Sequence, residues 1–424
     1  MKAVMYGAGN IGRGFIGQIF SRSGYGICFI DVAEKVIEAI NREGRYPVRI
    51  LSDNSSAESF RDLWIEGVTA IDGRNAEEAA SAIADADIMA TAVGVRVLPF
   101  IAPVIARGLQ KRFSGAIGIG GSRQDSRAVR PLNIIICENL IDANKVLEGL
   151  IKNNLSEEEQ KLFDENVGLV EASIGRMVPL QTAEMQDGNI LRVCVEAYGF
   201  LPVDKAAFRG EIPSLAGMHP FDNFDFYIKR KLFVHNLGHA ICAYLGMIRG
   251  DTYIYETVSH AFILFIAQNA MLESGLALSA KYNASLPDLH YHIRDLLRRF
   301  SNKALGDTCE RVGSDTKRKL GNNDRLIGAF LSCLEEEVRP AFISIGIAAA
   351  LFCHLKENKT DQSRAAARNV LKELSGLEED TVWIDLILSF HSMLASAASG
   401  ENFDEIARLI IGAASGAGQK PDII

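Results

Sequence analysis

The first thirty-one residues constrain the fold more than any other stretch. Residues 2–6 are short and apolar and run straight into Gly7-Ala8-Gly9-Asn10-Ile11-Gly12-Arg13-Gly14. A helical pattern, Phe15-Ile-Gly-Gln-Ile-Phe20, follows up to the break at Ser23-Gly24. The order is strand, glycine-rich turn, helix. Gly7 permits the tight turn, Gly9 lets the backbone approach a pyrophosphate, and Gly12 lets helix pack on strand. The helix N-terminus then faces the negative charge. A second strand, Ile27–Ile30, ends in Asp31, nineteen residues beyond Gly12. A carboxylate there bonds ribose hydroxyls and repels a 2′-phosphate, so the motif points to NAD rather than NADP. Alone, a G-x-G-x-x-G could be an ordinary loop. In this setting Gly7, Ala8, Gly9, Asn10, Ile11, Gly12 and Asp31 form a candidate dinucleotide site.

The α/β alternation continues. Asp87–Val93 is a buried strand ending at Gly94, where a loop through Ala92, Val93 and Gly94 passes under the nicotinamide half of a cofactor, or simply turns. Asn133–Cys137 is another parallel-type strand, delivering Glu138-Asn139 to its C-terminal end. Ligands sit at that edge of open α/β sheets, so Asn139 is a candidate polar contact; the alternative is a turn or helix cap. Between these strands, the Gly/Ser-rich stretch 113–126 reads as a surface insertion. Residues 155–165 open like a capped helix. The stretches 168–173 and 190–198 alternate as further strands expected to extend the sheet, with Arg176 and Pro179 between them.

Composition changes at about residue 205, which places a first domain at 1–203 and a second at 204–424. Helical periodicity dominates from Asp222. Helices are expected at about 222–248, 253–275, 286–300, 322–335, 339–357, 361–374, 380–397 and 402–414, with Gly246, Gly250 and Gly275 as stops. The first of these helices carries Lys231, Asn236 and His239. At roughly 100° per residue they lie at about 0°, 140° and 80° around the axis, so all three share one half of the helix. An amine, an amide and an imidazole on one face suit proton transfer from a hydroxyl, or form a plain hydrogen-bonded surface.

Bulk properties narrow the function classes. With 45 Lys and Arg against 53 Asp and Glu, the net charge of −8 leaves no cationic excess for nucleic acid, though a local basic pocket could hold a small anion. Such a pocket could come from Arg298-Arg299, Arg311, Lys317-Arg318-Lys319 and Arg325, or these could be a solvated loop with scattered ion pairs. The seven cysteines are scattered and form no C-x-x-C pair, which fits reduced thiols in the cytoplasm and no zinc site. The N-terminus reads as a strand rather than a signal peptide, and the apolar run Phe342–Cys353 is too short to span a bilayer, so no membrane partner is expected.

Four stretches carry a resemblance: Gly7–Gly14, Thr91-Ala-Val-Gly94, Cys137-Glu-Asn139 and Arg230-Lys-Leu-Phe-Val-His-Asn-Leu-Gly-His-Ala240. Arg311-Val-Gly313, Arg318-Lys-Leu320 and Asp324-Arg-Leu326 extend it. Together they resemble the polyol-specific long-chain dehydrogenase/reductases, the mannitol dehydrogenase family, and within it the mannitol-1-phosphate 5-dehydrogenase branch. The resemblance implies an α/β Rossmann domain followed by an all-α domain of the 6-phosphogluconate-dehydrogenase-like type. It implies metal-independent, NAD-dependent interconversion of D-mannitol 1-phosphate and fructose 6-phosphate by a monomer or small homo-oligomer. The family's K-x(4)-N-x(2)-H signature falls on Lys231, Asn236 and His239. It makes Lys231 the general acid/base, has Asn236 and Asn139 hold the substrate oxygen, and has His239 orient the substrate; Arg176 is a further substrate contact. Two departures stand out: relatives carry an Asp-Arg pair where this chain has Gly175-Arg176, and Ser314 and Thr316 replace residues of an Arg-Val-Gly-Arg-x-Pro segment. Other polyols or hexuronates of the same family, and a non-catalytic NAD sensor, remain open as alternatives.

Overall fold

The computed structural model describes residues 1–51, 62–114, 129–377, 381–398 and 402–416. Beyond Ser114, the Gly/Ser-rich stretch at 113–126 lies outside the described residues. The chain forms two compact units, Met1–Phe224 and Asp225–Ile424. The division falls later than the expected 203/204. Strands β10 (Leu201–Asp204) and β11 (Met218–Phe221) pair in parallel, and Val203 bridges Ala172, which ties 201–221 to the first unit.

The first unit is built on six parallel strands: β1 (Lys2–Tyr6), β2 (Gly26–Asp31), β5 (Val68–Asp72), β6 (Ile88–Thr91), β7 (Leu132–Ile136) and β8 (Val167–Glu171). Their spatial order is β5-β2-β1-β6-β7-β8. Counted in chain order among themselves the six read 3-2-1-4-5-6, the doubly wound dinucleotide-binding order, whose crevice lies outside the carboxyl ends of β1 and β6, where the strand order reverses. These strands are nearly continuous runs of buried Val, Ile, Ala and Met because both faces are covered. One face packs Phe15, Phe20, Phe29 and Tyr46, the other Ile101, Ile105, Leu109 and Phe113. The stretch at 168–173 does extend this sheet, as β8. The stretch at 190–198 does not: β9 (Val193–Glu196) joins β3 (Arg45–Leu51) and β4 (Asp62–Glu66) in a separate sheet of order β4-β3-β9. The capped helix is present at Glu157–Asn166, where Ser156 and Glu159 form a reciprocal capping box.

The second unit is helical throughout its described residues, close to the expected boundaries. The largest difference is the helix Ala261–Tyr282, which passes through Gly275 without stopping. It is long and apolar enough by composition to cross a bilayer. Here it packs against neighbouring helices, with Ile263, Ile266, Ala267, Ala270 and Met271 buried. Gly246 is likewise interior to its helix, which ends instead at Gly250 in a left-handed cap.

Candidate active site

The glycine-rich turn has the build of a phosphate cradle. Gly7 adopts φ +103°, with its N–H bonded to Ile30 O at 2.8 Å, and a Cβ on Gly12 would overlap the Gly7 carbonyl. Neither position accepts a side chain. A Cβ on Gly9, by contrast, would meet nothing within 4 Å, so this exposed residue presents bare backbone to open space. Side-chain-free backbone at the start of a helix is what close approach of a pyrophosphate requires. Asn10 and Ile11 start the helix and are half-buried. Asp31 ends β2 and accepts from Ala8 N (2.6 Å), Val32 N (2.7 Å) and Ala33 N (2.9 Å). Three of roughly four carboxylate acceptor sites are thus used on the loop itself. The carboxylate is fixed beside the turn, with room for about one further hydroxyl rather than a full ribose diol.

The helix after the turn departs from α geometry. Gly12–Ile16 form a π turn, in which Gly17 N–H bonds to Gly12 O. Two buried arginines hold this widened turn. Arg13 donates to Ala8 O (2.6 Å) and Leu191 O (2.5 Å). Arg176 donates to Gly14 O (2.8 Å), Gln18 Oε1 (2.6 Å) and Tyr198 O, and lies 4.5 Å over the Phe15 ring. Arg176 was expected to hold substrate; its guanidinium, 6 % exposed, instead braces the glycine helix. Gly175 also has a local reason, since a Cβ there would come within 2.9 Å of the Tyr198 ring. An aspartate in that place would collide with it.

At the end of β7, Glu138 does what the sequence left unassigned. Its carboxylate accepts Val93 N–H at 3.0 Å and Gly94 N–H at 2.8 Å. Ala92 N–H goes to Tyr6 O. The backbone donors of the 92–94 loop are therefore committed within the protein. A nicotinamide there would meet the loop's outer surface and the open space beside Gly94, not free N–H groups. Asn139 follows, exposed, with no hydrogen bond to its amide among the described residues.

In the second unit, the helix Phe224–Arg249 contains a second π turn, Lys231–His235, in which Asn236 N–H bonds to Lys231 O. This changes the expected geometry. In a regular helix Lys231 and Asn236 sit about 140° apart; a turn closed at i+5 brings them to roughly the same side. His239 follows one α turn beyond Asn236, so the three polar groups align along one stripe. Lys231 is half-buried, and its side-chain amine makes no hydrogen bond or ion pair among the described residues. Burial first, and the nearby Arg325 second, lower its pKa to about 8. His239 stacks on Phe300 with centroids 4.7 Å apart and planes at 11°. Its Nε2 lies 3.1 Å from Asp307 Oδ2, close enough for an ion pair but off the line of a good hydrogen bond. Burial pushes the Asp307 carboxyl up, but His239 and Arg311 outweigh it and hold the group ionised below its ordinary range. Neighbouring His235 is buried, and burial, with Arg299 and other cations, keeps it neutral.

Comparison with known proteins decides the affiliation. Residues 1–217 match the mannitol dehydrogenase Rossmann domain, and residues 223–384 match the mannitol dehydrogenase C-terminal domain. The chain belongs to the mannitol dehydrogenase family. At the level the family carries, it is an NAD-dependent oxidoreductase acting on CH–OH groups. Its fold is similar to Pseudomonas fluorescens mannitol 2-dehydrogenase, solved as a ternary complex with NAD and D-mannitol: TM-score 0.70, 14 % identity, 97 % of this chain and 94 % of that one. It is also similar to a substrate-free D-sorbitol dehydrogenase: TM-score 0.69, 15 % identity, 97 % and 92 % coverage. At such identity the likeness is one of fold. Within the family frame, the fold collects the expected residues into two groups. Gly7–Gly12, Asp31, Ala92–Gly94 and Asn139 gather at the C-terminal edge of the parallel sheet. Lys231, Asn236 and His239 line one helix stripe in the second unit. Sequence reading missed Glu138 and Asp307 as supports, because their partners lie far along the chain.

Proposed function

We propose that this member of the family interconverts D-mannitol 1-phosphate and fructose 6-phosphate. The observation that carries the reaction type is Lys231: half-buried, unpaired among the described residues, with a pKa lowered to about 8. An ordinary lysine, titrating near 10.4, is almost wholly protonated at neutral pH and cannot serve as base. At about 8, a useful fraction is neutral and the ammonium is still available as an acid. In the oxidative direction the neutral amine takes the C5 hydroxyl proton as the hydride leaves C5, yielding the ketone; in reverse the ammonium returns the proton. NAD, when bound, would supply the hydride acceptor, and the Gly7–Gly12 turn with Asp31 would hold it. Asn236 and Asn139 donate hydrogen bonds to the oxygen as charge develops on it. His239, set by Asp307 and the Phe300 ring, orients the neighbouring hydroxyl, while Arg176 acts as a positioning residue for the glycine helix.

The phosphorylated substrate is supported by the Gly-Ala-Gly-Asn-Ile-Gly-Arg-Gly opening and by the basic run around Arg325. A reducing, cytoplasmic setting is supported by seven free cysteines, six of them buried. A second reading, an unphosphorylated polyol, is favoured by Arg311 being closed on Asp307 and Arg318 on Asp315 and Asp324. The test is NADH production from mannitol 1-phosphate against mannitol, sorbitol and hexonates. We expect kcat/KM for the phosphate ester to exceed the others by at least about tenfold, the order of one charged contact. Turnover of unphosphorylated polyols alone overturns the substrate assignment.

A further inference from the structure

We propose that Arg325 is the subsite that receives the substrate's phosphate, and so the residue that selects a polyol phosphate over a free polyol. This rests on the functional reading above and deepens it.

Position comes first. The helix Ile327–Glu335 packs against the Lys231 turn through Gly328, where a Cβ would come within 2.8 Å of Phe233 Cε1. Phe233 lies inside the π turn that Lys231 opens. Glycine at 328 therefore lets the helix start approach that turn, and Arg325 stands three residues ahead of it. Its charge is felt at Lys231.

Valence comes next. The Arg325 side chain is 11 % exposed, and its Nε and backbone N each donate to Asp324 Oδ1 at 2.7 Å. Its two terminal nitrogens, with four N–H groups, have no acceptor among the described residues. Apart from the exposed Lys317, the neighbouring basic groups are closed: Arg311 on Asp307, Arg318 on Asp315 and Asp324, and Lys319 on the Val312 and Ser314 carbonyls. The stem is covered and Nε is committed, while the terminal fork reaches open space with its donors free for a ligand. Its planar pair of donors matches two oxygens of one phosphate.

Charge comes last. Asp324 serves two guanidinium groups, Arg325 through Oδ1 and Arg318 through Oδ2. With Asp315 also on Arg318, the two arginines and two aspartates balance formally, so the attraction for a phosphate lies in the open Arg325 fork itself. Vicinal hydroxyls of a free polyol could also accept from the fork but carry no charge to pair with the guanidinium.

The test is steady-state NADH production by the full-length protein, wild type against Arg325→Gln, Arg325→Lys and the exposed control Lys317→Gln. Assayed at a pH where Lys231 is deprotonated in both proteins, Arg325→Gln should lower kcat/KM for mannitol 1-phosphate by roughly a hundredfold, mainly through KM, and lower kcat/KM for mannitol far less. Arg325→Lys should recover part of the loss. Inorganic phosphate should compete with mannitol 1-phosphate in wild type and not in Arg325→Gln. If wild type prefers the phosphate ester and Arg325→Gln keeps that preference, or loses both substrates equally, the Arg325 assignment is overturned while the functional reading stands. If wild type is indifferent to phosphorylation, both fall. Thermal unfolding of each variant confirms that the comparison is made on folded protein.

Discussion

Asp307 illustrates how single residues prepare this chemistry. Its carboxylate is shared by Arg311 and His239, and Phe300 fixes the plane of the same imidazole. A histidine stacked on one ring and facing a carboxylate at ion-pair distance is restricted in its rotation. Replacing Asp307 by Asn preserves shape but removes the charge that orients the ring. We expect Asp307→Asn to lower kcat/KM for the polyol phosphate about tenfold or more and to leave NADH affinity unchanged, as fluorescence titration would measure. A loss of NADH binding instead would assign Asp307 a purely structural role.

At the scale of elements, the two π turns are the main departure from regular structure. Gly12–Ile16 widens the helix after the glycine-rich turn, and Lys231–His235 widens the one that carries Lys231, Asn236 and His239. Such turns recur at functional sites. Each costs regular hydrogen bonding, offset here by Arg13 and Arg176 in the first and by packing of Phe233 on Gly328 in the second. The clamp of Glu138 on Val93 and Gly94 belongs to the same scale, because it joins the ends of two adjacent strands. We predict that Glu138→Ala frees the 92–94 loop and raises the KM for NAD several-fold with little effect on thermal stability. An unchanged KM would show the loop to be held by other contacts.

Much of this was legible beforehand, and what was not has physical causes. Strand–turn–helix order with Asp31 at the right spacing identified the cofactor edge, since those signals are local. The helical periodicity from Asp222 placed nearly every helix of the second unit. The π turns were invisible, because a 3.6-residue period is assumed whenever a helix is read from pattern; hence the 140° expected between Lys231 and Asn236. Glu138 and Asp307 escaped because a carboxylate's partner is set by tertiary structure: Val93 is 45 residues from Glu138. Arg176 carries a charge that pattern reading assigns to ligands, yet three protein acceptors claim it.

For the molecule as a whole, two units of different construction divide the work. An α/β unit with core on both sheet faces carries the glycine-rich turn and Asp31, and a helical unit carries the stripe of Lys231, Asn236 and His239 to which we assign the acid/base role. The account stands or falls on Lys231 as the group that moves the proton. Loss of a positioned general acid/base costs on the order of 10²–10⁴ in rate. The decisive measurement is NADH production from mannitol 1-phosphate across pH, for wild type and Lys231→Ala, beside NADH titration of both. Deprotonation makes the base competent, so wild-type kcat/KM for oxidation should rise with pH and level off above about 8. Lys231→Ala should lose at least about a hundredfold and that pH limb while binding NADH normally. Near-wild-type turnover in Lys231→Ala, or the same limb persisting there, would contradict the assignment.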